Sequence, residues 1–228
     1  MSITPLSSMA KKKLSKEDEY YVSGSWFYRF LKRCFDIFVS GLFLILFSWL
    51  IILLLLIKFF EDFHNPVYIS KRVGKDGHLF SFHKIRSMVV DAEKMKAKMI
   101  KKGMNEADGP VFKMKEDPRI TKFGKFLRKT TLDEILQFWD VFRGKMSIIG
   151  PRPPLPIEVK KYSDRAKHRL DVKGGLVCYW QITKHRHSLS FSEWVELDLK
   201  YIRTRSIGVD LKILFKAFWF VLTDRTGE

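Results

Sequence analysis

Leu127–Pro156 reads LRKTTLDEILQFWDVFRGKMSIIGPRPPLP and places two adjacent carboxylates, Asp133 and Glu134, between Arg128 and Arg152. Thr131-Leu132-Asp133-Glu134 has the S/T-x-x-E form of a capping box, which predicts Thr131 as N-cap and Glu134 at the third helical position. Ile135, Leu136, Phe138, Trp139, Val141 and Phe142 then suit a helix to about Arg143, with Gly144 as a natural stop. A helix N-terminus offers free amides and a partial positive charge, which attract phosphate and keep a nearby carboxylate ionised. Carboxylates in a first helical turn are also ordinary, because they complement the dipole. Taken alone, the stretch favours a plain capped helix; the surrounding chain decides.

The 228 residues carry 42 Lys and Arg against 25 Asp and Glu, a formal net charge of +17, together with 20 Phe and 6 Trp. The length suits one ordinary domain with a small extra element. So basic a balance points to nucleic acid, an anionic membrane surface or phosphate-bearing substrates. The basic residues are spread along the chain without a recognised nucleic-acid motif, so no nucleic-acid partner is expected. Cys34 and Cys178 lie far apart and imply no disulfide framework, which fits a reducing compartment. The histidines are too scattered for a zinc cluster, and no G-x-x-x-x-G-K-[ST] loop is present to cradle a nucleotide.

Residues 1–30 read as a flexible basic tail that ends in an aromatic and basic blend (Trp26, Phe27, Tyr28, Arg29, Phe30) suited to a membrane–water interface. Residues 31–60 read as a membrane anchor, because Ile37–Ile57 carries no charge and is long enough to cross a bilayer, which takes about 20 apolar residues. Positive residues flank both ends, so the positive-inside rule does not orient it. A spanning helix and a re-entrant one both fit. The second needs a break, and Ser48-Trp49 is the central candidate.

Residues 61–228 have a globular character. Pro66–Ser70 and Leu79–His83 read as short strands about a Gly74–Gly77 turn. Asp91–Gly103 reads as an exposed helix, Asn105–Gly109 as a loop and Thr121–Lys129 as a short helix. Leu155–Lys167 is expected to be helical, Leu176–Thr183 a strand, and Ser192–Arg203 and Val209–Leu222 two further helices. In the last, Lys212 and Lys216 form a narrow basic edge on an otherwise apolar surface, as in a helix lying in the interface plane or buried in a core. The fold class expected is α+β, mostly helical with short strands, a membrane-embedded re-entrant N-terminal helix and interface-lying amphipathic helices.

Several stretches, in this order, resemble the bacterial sugar transferases of the monotopic phosphoglycosyl transferase family. They are Lys32-Arg33-x-Phe35-Asp36, Arg72-Val73-Gly74-Lys75, Lys84-Ile85-Arg86-Ser87-Met88, Asp117-Pro118-Arg119-Ile120-Thr121, Leu127–Glu134, Met146–Pro153 and Asp210–Leu214. Together they cover roughly residues 30–222. The chain departs from the family in having Ser48-Trp49 where Ser-Pro is usual in the membrane run. It also has Val172-Lys173-Gly174-Gly175 where Val-Lys-Pro-Gly is usual.

The resemblance implies transfer of a sugar 1-phosphate from a UDP-sugar donor to a polyprenyl phosphate acceptor such as undecaprenyl phosphate. UMP would be released, and the step would initiate assembly of a capsule, exopolysaccharide, O-antigen or glycoprotein glycan. By that likeness residues 61–228 form a cytosolic catalytic domain on the bacterial inner membrane, in contact with membrane lipid. Asp133 is the expected nucleophile, forming a covalent phosphosugar, and Asp133 and Glu134 are the expected ligands of Mg²⁺. Arg128, Arg152, Arg186 and Asp210 match substrate-side positions of the family. The chemistry is consistent with this. A phosphodiester repels an anionic nucleophile unless its charge is neutralised, and arginine supplies a rigid fork for phosphate. The competing reading is a catalytically silent, membrane-anchored basic scaffold. Oligomeric state is left open by the sequence, and a homo-oligomer is compatible with it.

Overall fold

The apolar run does not form one helix. The computed structural model describes residues 22–104, 114, 116–183 and 189–223. In it, α1 (Trp26–Leu46) and α2 (Ser48–Asp62) meet at Phe47 and are bent by 62°. No proline lies at the break. Ser48 Oγ donates to the Ile45 carbonyl at 2.9 Å, a back-bond of the kind that bends helices. The Phe43 and Phe47 rings pack with centroids 4.6 Å apart. Among the described residues no single helix is long and apolar enough to cross a membrane, although α1 and α2 together meet that length and composition.

Each leg of the bend is fastened to the rest of the chain by a carboxylate. On α1, Asp36 is 2% exposed. Its Oδ1 accepts from the Ile148 amide at 2.9 Å and from Ser147 Oγ at 3.1 Å. On α2, Asp62 takes both arms of Arg86 at 2.6 Å each, the bidentate geometry that makes such pairs strong. Lys58, fully buried, bonds Glu61 at 2.5 Å and Asp62 at 3.2 Å. Glu61 in turn accepts from Thr121 Oγ1 at 3.1 Å. Removing Asp62 would leave Arg86, which is buried, without a carboxylate partner, at a cost of about 3 kcal/mol.

β1 (Val67–Val73) and β2 (Leu79–Ile85) form an antiparallel hairpin as the alternation predicts, in register from Val67↔Ile85 to Val73↔Leu79. The register puts Tyr68, Ser70 and Arg72 on one face with their partners Lys84, Phe82 and Phe80. α3 (Ala92–Lys101) and α4 (Lys122–Lys129) follow where expected. Thr121 caps α4 by accepting from the Gly124 amide at 3.0 Å. The loop Asn105–Gly109 lies outside the described residues.

The predicted capping box does not form. Thr131 is in the left-handed region at φ 59 and its side chain caps nothing. Leu132–Glu134 is a single 3₁₀ turn, and α5 (Gln137–Phe142) begins only after it. An N-cap needs extended backbone, whereas Thr131 follows Thr130, the C-cap of α4, and takes the left-handed conformation common at that position, its amide bonding the Arg128 carbonyl at 3.1 Å. Leu132, Ile135 and Leu136 still join Leu54, Ile85 and Leu127 in one apolar cluster with residues of α2. Gly144 ends α5 at φ 74, as expected.

β3 (Ser147–Ile149), which the sequence reading missed, pairs in parallel with β4 (Gly175–Val177). The expected helix over Leu155–Lys167 is two single turns, α6 (Pro156–Val159) and α7 (Asp164–Lys167), the second restarted by Ser163 as its cap. The strand expected over Leu176–Thr183 ends at Val177. Gln181 then accepts from the Cys178 amide at 2.8 Å and starts a 3₁₀ turn over Tyr179–Ile182. α8 (Phe191–Thr204) and α9 (Ile207–Thr223) are the last described elements. A second apolar cluster joins Phe80, Phe82, Ile148 and Ile149 to Leu199, Ile202 and Ile213 of these two helices.

Candidate functional site

The site is built on the 3₁₀ turn. A β-branched residue at positive φ is uncommon and strained, and Thr131 holds that conformation one residue before the turn that carries the carboxylates. The apolar residues on either side are pinned, with Leu127 fully buried and Ile135 nearly so, which holds the turn in place. Asp133 is 5% exposed. Lys84 reaches across from β2, its Nζ 3.3 Å from Asp133 Oδ2 and 2.5 Å from Glu134 Oε1.

The two carboxyls respond in opposite directions. Burial pushes the Asp133 carboxyl above its ordinary value despite the attraction of Lys84. Burial also acts to raise Glu134, but the charges of Lys84 and Arg152 outweigh it and hold that carboxyl down to about 2. Neighbouring acids pushed apart in this way are characteristic of sites that do chemistry.

Two arginines flank the pair from separate elements. Arg128, on the last turn of α4, donates from Nε to Ser87 Oγ at 2.9 Å. α4 can lie this close to the Ser87 backbone because residue 124 is glycine; a Cβ there would stand 1.9 Å from the Ser87 carbonyl oxygen. Arg152 follows β3 on the loop Gly150–Pro154. The start of that loop presses on β4, where a Cβ at Gly175 would lie 2.0 Å from the Gly150 nitrogen. The Gly-Gly departure therefore keeps the glycine that the contact needs. Arg152 is exposed and makes no hydrogen bond or ion pair among the described residues. Its charge nevertheless reaches Glu134.

Asp210 joins a different set. Its Oδ2 accepts from Tyr28 at 2.8 Å and from Lys32 at 2.8 Å, and its Oδ1 accepts from Tyr201 at 2.9 Å. It borders a cavity of about 200 Å³ between α1 and α9. Arg186 lies outside the described residues. Sequence reasoning assigned no role to Lys84, which touches both carboxylates. The signal was available in its alternation with Phe82 and Phe80 on one strand face. Among the described residues no group of three His, Cys, Asp or Glu side chains could hold a metal. What the site offers a cation is the Asp133–Glu134 pair.

Comparison with known proteins bears on this geometry. The bacterial sugar transferase profile matches residues 27–224. The chain is similar to the galactosyl transferase CpsE of Streptococcus agalactiae, 43% identical over 71% of this chain and 36% of that protein. It is 37% identical to the undecaprenyl-phosphate galactose phosphotransferase of Salmonella typhimurium, over 85% of this chain and 41% of that protein. The exopolysaccharide production protein ExoY of Rhizobium meliloti is 33% identical over 85% of this chain and 86% of its own length. The chain thus spans about two fifths of the first two relatives and nearly all of the third. With nearly every described element inside the matched range, the chain belongs to the bacterial sugar transferase family.

Proposed function

We propose that this protein moves a sugar 1-phosphate from a UDP-sugar to a polyprenyl phosphate and releases UMP, as the first membrane step of a capsule or exopolysaccharide pathway. The observation that carries the reading is the buried Asp133–Glu134 pair inside a cage of cations, Lys84, Arg128 and Arg152. The names of relatives, among them an undecaprenyl-phosphate galactose phosphotransferase, supply the substrate classes.

The chemistry runs as two displacements on one phosphorus. Asp133 Oδ forms a bond to the phosphorus that bears the sugar, and the bond to the UMP oxygen breaks, with UMP leaving. An oxygen of the lipid phosphate then bonds that phosphorus, and the aspartyl–phosphorus bond breaks to free Asp133. A covalent intermediate lets a soluble donor and a lipid-borne acceptor use one site in turn. Arg128 and Arg152 stabilise the charge on the phosphoryl oxygens and hold the group in line. Glu134, ionised at neutral pH, anchors Lys84 against the pair. The donor set fits magnesium, which takes one or two protein carboxylates and completes its shell with phosphate and water. Asp133 and Glu134 would hold it, and it would neutralise phosphoryl charge.

The bend at Phe47 supports a re-entrant anchor that enters and leaves the same face of the membrane. Both legs return polar groups, Asp36 and Asp62, to the domain, while Phe38, Ile45, Trp49 and Ile52 face outward. α9 adds exposed Phe215, Phe218 and Trp219, which suits a helix lying in the interface plane. We place the catalytic domain on the cytoplasmic side of the bacterial inner membrane, where UDP-sugars are made.

The test is UMP release by detergent-solubilised protein with polyprenyl phosphate, magnesium and a panel of UDP-sugars. Turnover with one sugar, dependent on metal and on an intact Asp133, is expected. UMP release by Asp133→Asn at a near wild-type rate would remove the covalent route.

A further inference from the structure

Arg72 is a part-buried guanidinium with no carboxylate at ion-pair distance among the described residues. It sits on β1, and the hairpin register puts it on one face with Ser70, Phe82 and Lys84. Its guanidinium lies 5.0 Å from the Phe82 ring centroid, and Lys84 Nζ lies 5.9 Å from the same centroid. Arg72 and the cation that grips the carboxylate pair therefore flank one ring. Its Nη1 donates to the Pro153 carbonyl at 3.1 Å, next in chain to Arg152.

Two polar atoms here have no hydrogen-bond partner among the described residues although both are buried, Arg72 Nε and Ser70 Oγ. With Nη1 committed to Pro153, the uncommitted edge of Arg72 is Nε with Nη2, an edge that can take two oxygens of one phosphate. Burial and the like charge of Arg152 push the Arg72 pKa down to about 10. Buried donors left unmatched are costly. Glu158 and Glu134 only partly offset the repulsion between the two guanidiniums, which are therefore complementary to an anion that arrives with a ligand.

We propose that Arg72, with the Ser70 hydroxyl beside it, binds the diphosphate of the nucleoside diphosphate donor together with Arg152. This rests on the transfer reading above and adds to it a second phosphate-binding arginine, carried by the hairpin and tied to the Arg152 loop.

The experiment is calorimetric binding of UDP, UMP and uridine to the full-length protein in detergent with magnesium. It compares wild type, Arg72→Gln, Arg72→Lys, Arg152→Ala and the Arg72→Gln/Arg152→Ala double variant. Arg72→Gln is expected to weaken UDP by about 10- to 100-fold, the scale of a lost charged hydrogen-bond pair. UMP should weaken less and uridine not at all, and Arg72→Lys should recover only part. A further loss in the Arg152→Ala background separates direct contact from a role in holding the Pro153 loop. UDP affinity within about twofold of wild type, an equal drop for uridine, or no further loss in the double variant would overturn the proposal. So would a raised KM for polyprenyl phosphate with UDP binding intact, since the site would then serve the acceptor. If Arg72→Gln does not fold, Arg72→Lys carries the same comparison. Wild-type protein that binds no UDP would remove the transfer reading and this inference together. Normal wild-type binding with unaffected variants removes this inference alone.

Discussion

Asp133 and Asp210 are both buried acids in the first turn of a helical element, yet their surroundings differ in kind. Both oxygens of Asp210 are taken, by Tyr28, Lys32 and Tyr201, and the result ties α1 to α8 and α9. Around Asp133 the balance is reversed. One lysine serves two carboxylates, Arg152 has no partner among the described residues, Arg72 Nε is unbonded, and the backbone before the turn is strained. Saturated polar clusters rigidify a fold, and unsaturated ones leave room for a ligand. On the proposed function, the first cluster is structural and the second chemical.

The largest effect that could break this contrast is at Asp133. Asp133→Asn is expected to lower UMP release on the order of 10⁴-fold, the scale for loss of a covalent nucleophile. Its stability should move the other way. Burial raises the folded pKa of Asp133, so the favourable contribution of the protonated form is present below the unfolded value and lost as pH rises through the folded one. At neutral pH the ionised group therefore costs stability, and thermal melts should show Asp133→Asn melting no lower than wild type at pH 7. The difference should fade below about pH 4.

Asp210→Ala should do the opposite. It leaves Tyr201, Tyr28 and Lys32 without their acceptor and should destabilise by about 3 kcal/mol, read by denaturation, while the folded fraction keeps its turnover per molecule. Loss of turnover without loss of stability would move Asp210 into the chemistry and erase the contrast.

Lys84→Met sharpens it further. Glu134 sits at about 2 because of Lys84 and Arg152 acting against burial. A depressed carboxyl contributes stability above its unfolded value, and this is lost as pH falls through the folded one. Without Lys84 the folded value rises, so the acid limb of both the melting temperature and UMP release should shift to higher pH. An unchanged limb would show that Lys84 does not set the charge state of the pair. Thr131→Gly is the smallest effect. It relieves left-handed strain and should stabilise by about 1 kcal/mol, checked by melting, with activity retained if the turn keeps its packing.

Much of the local architecture was legible. The hairpin about Gly74–Gly77, the short helix over Thr121–Lys129, the stop at Gly144 and the two C-terminal helices all depend on contacts short in sequence, which period and punctuation report. The errors come from neighbouring elements. Thr131–Glu134 has a capping-box pattern, but the chain leaves α4 through Thr131 in the left-handed conformation, and a 3₁₀ turn follows instead. Leu176–Thr183 looks extended, but among the described residues β4 pairs only with the short β3, and the chain turns after Val177.

By itself the sequence determined the chemistry on offer and the apolar run: an Asp-Glu pair among arginines and a run long and apolar enough for a bilayer. These are properties of composition and spacing, which do not depend on how distant segments meet; the motif order adds a resemblance to a family. The sequence offered Ser48-Trp49 as a break, but only the tertiary structure decided between a straight and a bent run, with Asp36 and Asp62 docking the two legs of the bend at Phe47. It also decided that Lys84 and Arg72 share a strand face beside the carboxylates, and that Asp210 is saturated elsewhere. Those facts rest on pairings between residues tens of positions apart. Their free energy comes from burying apolar surface while pairing the charges that burial desolvates, which no local pattern encodes.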